Sequence, residues 1–116
     1  MMEQKYFKEG IDRYVTKGVN EEISPLLQYI LWTMIENAKE EIELDYFQIF
    51  ELDFQDSGKS ITKSEQDKRI QIIKHSQEQP EYSKTYEIPV KETIKCKIWV
   101  IDDGGGYATM LFPEEY

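Results

Sequence analysis

Two periods organise the polar and apolar positions of this chain. Leu27, Ile30, Leu31, Met34, Ile35 and Ala38 recur at intervals of three and four, the spacing of one face of an α-helix. Gln28, Thr33, Glu36, Asn37, Lys39 and Glu40 fall mostly on the other side, with Tyr29 and Trp32 at the margins of the stripe. Ser24 stands before the run and Pro25 opens it. A serine hydroxyl at that position accepts a hydrogen bond from a free amide of the first turn. Proline is tolerated next to it because its missing N–H would have no helical partner. The pattern predicts a helix from about Pro25 to Glu40, with Leu27, Ile30, Leu31, Met34 and Ile35 buried.

A period of two governs most of the remainder. Ile94, Cys96, Ile98 and Val100 alternate with Lys95, Lys97, Trp99 and Ile101. On a pleated strand this sends Cys96, Ile98 and Val100 to one face and Trp99 to the other. Asp102–Gly106 reads as a hairpin turn, because glycine adopts the positive φ such turns need. Tyr107–Phe112 returns as the antiparallel partner and Pro113 stops it. Asp45–Phe54 and Arg69–His75 are further strands, separated by the turn cluster Asp56–Ser60 and a polar loop tip at Thr62–Lys68. Gln79-Pro80-Glu81 breaks the chain, and Tyr86–Val90 is a short edge strand marked by Pro89. Asp12–Val19 reads as a short strand ended by Gly18.

The order is one short strand, one helix, then four or five antiparallel strands. One helix covers one face of such a sheet. The expected fold is therefore α+β, one amphipathic helix packed on a strongly curled antiparallel sheet or small barrel of about five strands, or a sheet whose second face is buried against another copy. Residues 1–10 are expected to be a flexible N-terminal segment and residues 11–116 a single domain.

Composition narrows the class. The 116 residues suit one domain, and 40% hydrophobic content supplies a core. The net charge is −9, from 23 acidic and 14 basic residues, and the only arginines are Arg13 and Arg69. That balance argues against direct nucleic-acid binding, which relies on Lys and Arg to displace counterions. It suits solubility, or an encounter with a basic protein. Cys96 is the sole cysteine, so no internal disulfide forms and a cytoplasmic setting is expected. No apolar run approaches the roughly 20 residues of a membrane helix, and no signal-peptide core is visible.

Candidate chemistry is sparse. His75 is the only histidine and the one side chain suited to general-base work near neutral pH. No nucleophile adjoins it except Ser76, and Cys96 is distant in sequence. Cys96 itself sits in an apolar alternation, the setting of a buried inert thiol. Asp102 and Asp103 with three glycines lack the lysine and helix of a phosphate loop and the ligand pattern of a calcium loop. Their convergence with Glu114 and Glu115 is the one conceivable hard-cation site, and neither a metal nor a cofactor is expected. Aromatic residues exceed what one small core must hold. Trp99, Tyr107, Tyr82 and Tyr86, with Asp102 and Asp103, are the candidate binding residues, because aromatics beside charges are typical of protein interfaces.

Four stretches carry a resemblance. They are Asp12-Arg13-Tyr14-Val15-Thr16-Lys17-Gly18-Val19, Leu44-Asp45-Tyr46-Phe47-Gln48-Ile49-Phe50-Glu51-Leu52, His75-Ser76-Gln77-Glu78-Gln79-Pro80-Glu81-Tyr82, and Ile98-Trp99-Val100-Ile101-Asp102-Asp103-Gly104 closed by Met110-Leu111-Phe112-Pro113-Glu114-Glu115-Tyr116. Together they resemble domain-of-unknown-function family 960, small uncharacterised proteins of low-GC Gram-positive bacteria and their mobile elements. The resemblance implies a bacterial cytosolic domain over residues 11–116 and no catalytic residue. The layout is also similar, at the level of fold, to YolD-like proteins. The residues then favour a non-catalytic module that docks onto a protein partner, with homodimerisation as one form of docking. The competing expectation is a small enzyme with His75 as general base.

Overall fold

The computed structural model describes residues 4–56 and 69–116, and of Asp56 the backbone only. Strand β1 (Asp12–Val15) leads into a short helix α1 (Lys17–Glu22) and a long helix α2 (Pro25–Ala38). Strands β2 (Phe47–Asp56), β3 (Arg69–Gln77), β4 (Tyr82–Val90), β5 (Cys96–Asp102) and β6 (Tyr107–Leu111) follow, and a single 3-10 turn covers Pro113–Glu115. The strands form one six-stranded sheet in the order β1-β6-β5-β2-β3-β4. The long β2–β3–β4 meander and the β2–β5 and β5–β6 pairs are antiparallel, while β1 adds parallel to β6.

The sheet is open, with β1 and β4 as its edges, and it has six strands. The expected barrel or strongly curled five-stranded sheet is thereby corrected. Closure would need β1 to pair with β4, and the four-residue β1 is instead held by β6. The sheet therefore keeps two distinct faces. The described residues are α+β, with six strands and one main helix.

Helix α2 forms as its sequence dictates. The Ser24 side chain caps it, accepting from the Leu27 N–H at 3.2 Å, and Pro25 follows. The helix ends at Ala38, two residues earlier than expected, and a turn over residues 39–42 continues the chain. Leu31, Met34 and Ile35 are buried as expected, whereas Leu27 and Ile30 are only half covered. Trp32, expected at the margin, is buried, with the Arg13 guanidinium 5.1 Å from its ring centre. That guanidinium also pairs with Glu36 at 3.1 Å, tying the helix to β1.

The stretch around Gly18 differs from expectation. The strand stops at Val15, and Gly18 lies inside α1. Thr16 caps this helix, its hydroxyl accepting from the Val19 N–H at 3.2 Å and donating to Glu115 Oε1 at 2.7 Å. A Cβ on Gly18 would stand 2.6 Å from Glu115 Oε2, the end of a flexible side chain that would have to shift to admit it, and Gly18 does not act as a strand terminator. The Phe112 N–H and then the Thr16 hydroxyl, both donating to the Glu115 carboxylate, hold its pKa below the usual value. The C-terminal turn is thus fastened to the start of α1.

The core lies between the helices and one face of the sheet. Phe50, Leu52, Ile73, Ile98, Val100, Ala108 and Met110 meet Val19, Ile23, Leu31, Met34, Ile35 and Ala38. The expected flexible segment contributes to it: Phe7 is buried, and its N–H donates to the Asp102 carboxylate at 2.7 Å. Four glutamines brace the loops. Gln4 holds Lys39, Ile42 and Leu44, and Gln77 holds Glu43, Asp45 and Pro80. Gln71 accepts from Ile94 N–H and donates to the Asp53 and Ile94 carbonyls, pinning the β4–β5 connection. Gln48 completes the set at His75. The expected turn beyond Asp56 and the loop tip at 62–68 lie outside the described residues.

Candidate functional site

His75 lies near the end of β3 on the core face. It is fully buried and stacked on Phe50, ring centres 4.5 Å apart, with Tyr82 edge-on at 5.6 Å. Its Nε2 lies 2.6 Å from Gln48 Oε1. The Gln48 amide nitrogen already donates to the Asp45 carbonyl and Gln77 Oε1, so its oxygen is the acceptor and Nε2 carries the proton. Nδ1 has no partner. A second proton there would be a buried charge without an acceptor, and burial lowers the pKa from 6.5 to about 4.

The groups expected near His75 do not gather there. Ser76 points to the opposite face by the strand period. Cys96 lies on β5, with β2 between it and β3. Its thiol lines a groove of about 890 Å³ with Glu22, Lys95, Lys97 and Glu114. Burial first, then the Glu114 and Glu22 charges, push its pKa up to about 11. A thiol so placed is a poor nucleophile.

Asp102 is buried rather than displayed. Its two oxygens accept from the N–H groups of Phe7 and Gly104, at 2.7 and 2.8 Å. It is a structural anchor, and its expected place on a binding surface is corrected. Asp103 is exposed in the turn, where it accepts from the Gly105 N–H and meets the Tyr107 hydroxyl at 3.5 Å. Gly104 and Gly106 supply the positive φ, 88° and 94°, that the turn requires. Glu115 is engaged by Thr16 and Phe112, so it does not converge with Asp102. Among the described residues no group of three or more His, Cys, Asp or Glu is placed to hold a metal ion.

The aromatic candidates divide between the two faces. Tyr82 and Tyr86 pair with Gln77 and Ile73, so they belong to the helix side of edge strand β4. Tyr82 donates to Glu41 at 3.3 Å, and its pKa is raised by burial first and then by Glu41. They share no patch with Trp99, which corrects the expected grouping. Trp99 and Tyr107 do point to the face without helices, as the strand period requires.

That open face is ordered in rows across the strands. One row runs Tyr14, Thr109, Ile101, Phe47, and the next runs Leu111, Trp99, Ile49. Phe47 lies edge-on to Trp99 at 4.9 Å, and Tyr116 does the same from the other side at 5.7 Å. Tyr14 and Tyr107 form a second perpendicular pair at 5.7 Å and are 55% and 41% exposed. The third row is charged, Lys97, Glu51, Lys74. At the other margin Asp12 and Asp103 flank Tyr107, and neither makes an ion pair among the described residues.

Cations lie over several rings elsewhere: Lys5 over Tyr6, Arg13 over Trp32, Arg69 over Phe54 and Lys84 over Tyr86. Among the described residues none lies over Tyr14, Phe47, Trp99 or Tyr107. Sequence reasoning found Trp99 and Tyr107 but missed Tyr14, Ile49, Ile101 and Leu111 as their neighbours. The alternation placed each on a face of its own strand. Only the register brought them into rows. Among the described residues no helix is long and apolar enough to cross a membrane.

Comparison with known proteins agrees with this architecture. The model of a family described as staphylococcal protein of unknown function (DUF960) matches residues 12–115. A crystal structure of a protein of unknown function from Enterococcus faecalis superposes with a TM-score of 0.70 at 23% identity, covering 100% of this chain and 98% of that one. At that identity the likeness concerns the fold. No curated protein matches.

Proposed function

The chain belongs to the DUF960 family, and from that premise we propose that it is a non-catalytic module that docks onto another protein through the open face of its sheet. One observation carries the reading. Two adjacent rows of largely apolar and aromatic side chains, centred on Trp99, lie on the sheet face opposite α1 and α2, where Trp99, Phe47, Ile49 and Ile101 are half-buried, Leu111 is buried and Tyr116 packs on Trp99. The largest apolar patch on a monomer is often its contact site. Trp and Tyr are the side chains that contribute most at such contacts.

The alternative, catalysis with His75 as general base, draws little support from the geometry. His75 is buried, neutral above pH 6.5, and joined to Gln48 rather than to a nucleophile or carboxylate. A general base needs reach to a substrate proton, and its pKa should lie near the working pH. The single half-buried cysteine accords with a cytoplasmic setting for the module.

The test compares the protein with Trp99→Ser as immobilised baits in extract of its host. Any retained protein is then purified and its affinity for both baits measured directly. A partner that binds the native protein at least about tenfold more tightly than the variant supports the reading, since loss of a central aromatic costs at least that. Leu26→Ser serves as a control, because Leu26 is exposed on α2, away from the open face. Equal binding to native and Trp99→Ser baits would sink the proposal.

A further inference from the structure

We infer that the occupant of the open face is a short, arginine-bearing protein segment, and that a second copy of this chain is not. The inference rests on the docking reading above and adds the chemistry of the partner. Area is the first argument. With strands about 4.8 Å apart and same-face rows about 6.6 Å apart, the two apolar rows across four strands cover roughly 250 Å². A stable face-to-face dimer buries about 800 Å² on each partner. Reaching that size would carry the contact across Lys97, Glu51 and Lys74, three charged groups that one 4.0 Å pair between Lys74 and Glu51 balances only in part, and taking them out of water is costly. A peptide-sized segment fits the apolar rows alone.

Charge is the second argument. Two chains of net charge −9 repel on approach, whereas a cationic segment is drawn in. At the patch itself the charges are unevenly placed. Asp12 and Asp103 stand at the Tyr107 margin, and neither makes an ion pair among the described residues. At the opposite margin Glu51 sits between Lys97 and Lys74, with 4.0 Å to the latter, so its charge is already answered. A bound segment is therefore oriented, its cation toward Asp12 and Asp103 and its apolar residues over Trp99.

The third argument is the state of the rings. This chain repeatedly places its own Lys and Arg over aromatic faces, yet Trp99 and Tyr107 carry none among the described residues. A guanidinium stacks on such rings and forms a bidentate pair with a carboxylate at the same time, which a lysine ammonium does not.

The probe is a synthetic nonapeptide of alternating leucine and arginine, compared with the same peptide carrying lysine or glutamate in place of arginine. Binding is read by calorimetry and by tryptophan fluorescence, and the mass of the free protein by light scattering. The arginine peptide is expected to bind at least about tenfold more tightly than the glutamate peptide, and more tightly than the lysine peptide. Trp99→Ser should weaken it about tenfold or more, with Trp99→Tyr retaining most of the affinity. Asp12→Asn combined with Asp103→Asn should weaken it several-fold and flatten its salt dependence. If Trp99→Ser does not fold, Ile101→Thr takes its place.

Several results would overturn the inference: equal binding of the glutamate peptide, Trp99→Ser binding as tightly as the native protein, or a native dimer dissociated by Trp99→Ser. The last result would leave the docking reading standing with another copy as occupant. A Trp99-dependent partner from the host that binds without salt dependence would likewise keep the docking reading and remove the basic partner.

Discussion

Acid should destabilise this protein through His75, in a window set by its burial. Nε2 donates to Gln48, Nδ1 faces no acceptor, and the ring is stacked on Phe50 with Tyr82 edge-on. The folded pKa of about 4 lies below the ordinary 6.5. Above pH 6.5 the imidazole is neutral in both folded and unfolded chains, and its titration contributes nothing. Between 6.5 and about 4 the unfolded chain takes up a proton that the folded chain refuses, so stability falls as the pH drops. Each unit of difference is worth about 1.4 kcal/mol, so the whole window corresponds to about 3 kcal/mol. The assay is urea denaturation of the native protein and His75→Gln from about pH 7.5 to about pH 4.5. Carboxylate titrations are common to both proteins, and the difference between them isolates the histidine. The native protein should lose stability relative to the variant by about 1.4 kcal/mol per unit below about pH 6.5. A difference that stays constant across that range would show that the ring titrates alike in both states, and the burial argument would fail.

Three further outcomes are expected. Leu31 is fully buried under α2, and Leu31→Ala should cost about 2–5 kcal/mol in denaturant, the range for opening a core cavity. Asp102→Ala removes a charged acceptor from the Phe7 and Gly104 amides and should cost about 2–3 kcal/mol, with faster hydrogen exchange at the Phe7 amide. Cys96, with its pKa near 11, should react with a thiol reagent at about pH 8 on the order of a hundredfold more slowly than a free cysteine, and at the free rate once unfolded.

The legible parts of the fold were those written in local patterns. The stripe from Leu27 to Ala38 and the Ser24-Pro25 start predicted α2 to within two residues of its end. The alternation from Ile94 to Ile101 predicted which face of β5 carries Trp99. Helix α1 was not legible, because six residues hold no period and Gly18 imitates a strand terminator. It lies beside the Glu115 side chain, 97 residues away in sequence, a neighbour that no local pattern announces. The burial of Asp102 is illegible for a similar reason. Beside glycines and Asp103 it looks like an exposed turn residue, and only Phe7 arriving from the other end of the chain encloses it. The glutamines at 48, 71 and 77 read as polar strand positions, yet each is buried because a neighbouring loop offers backbone groups to its amide.

The sequence by itself determined the two faces of each strand and the apolar stripe of the helix, since side-chain direction follows from the pleat and the helical turn. It also determined the negative charge and the surplus of aromatic residues. Tertiary structure alone decided that the sheet stays open. Closure depends on whether β1 and β4, separated by more than sixty residues, can pair, and that is a matter of register and twist across every intervening strand. Because β1 is held by β6 instead, the face bearing Trp99 was left outside the core, and alternating residues that a barrel would have enclosed became a surface.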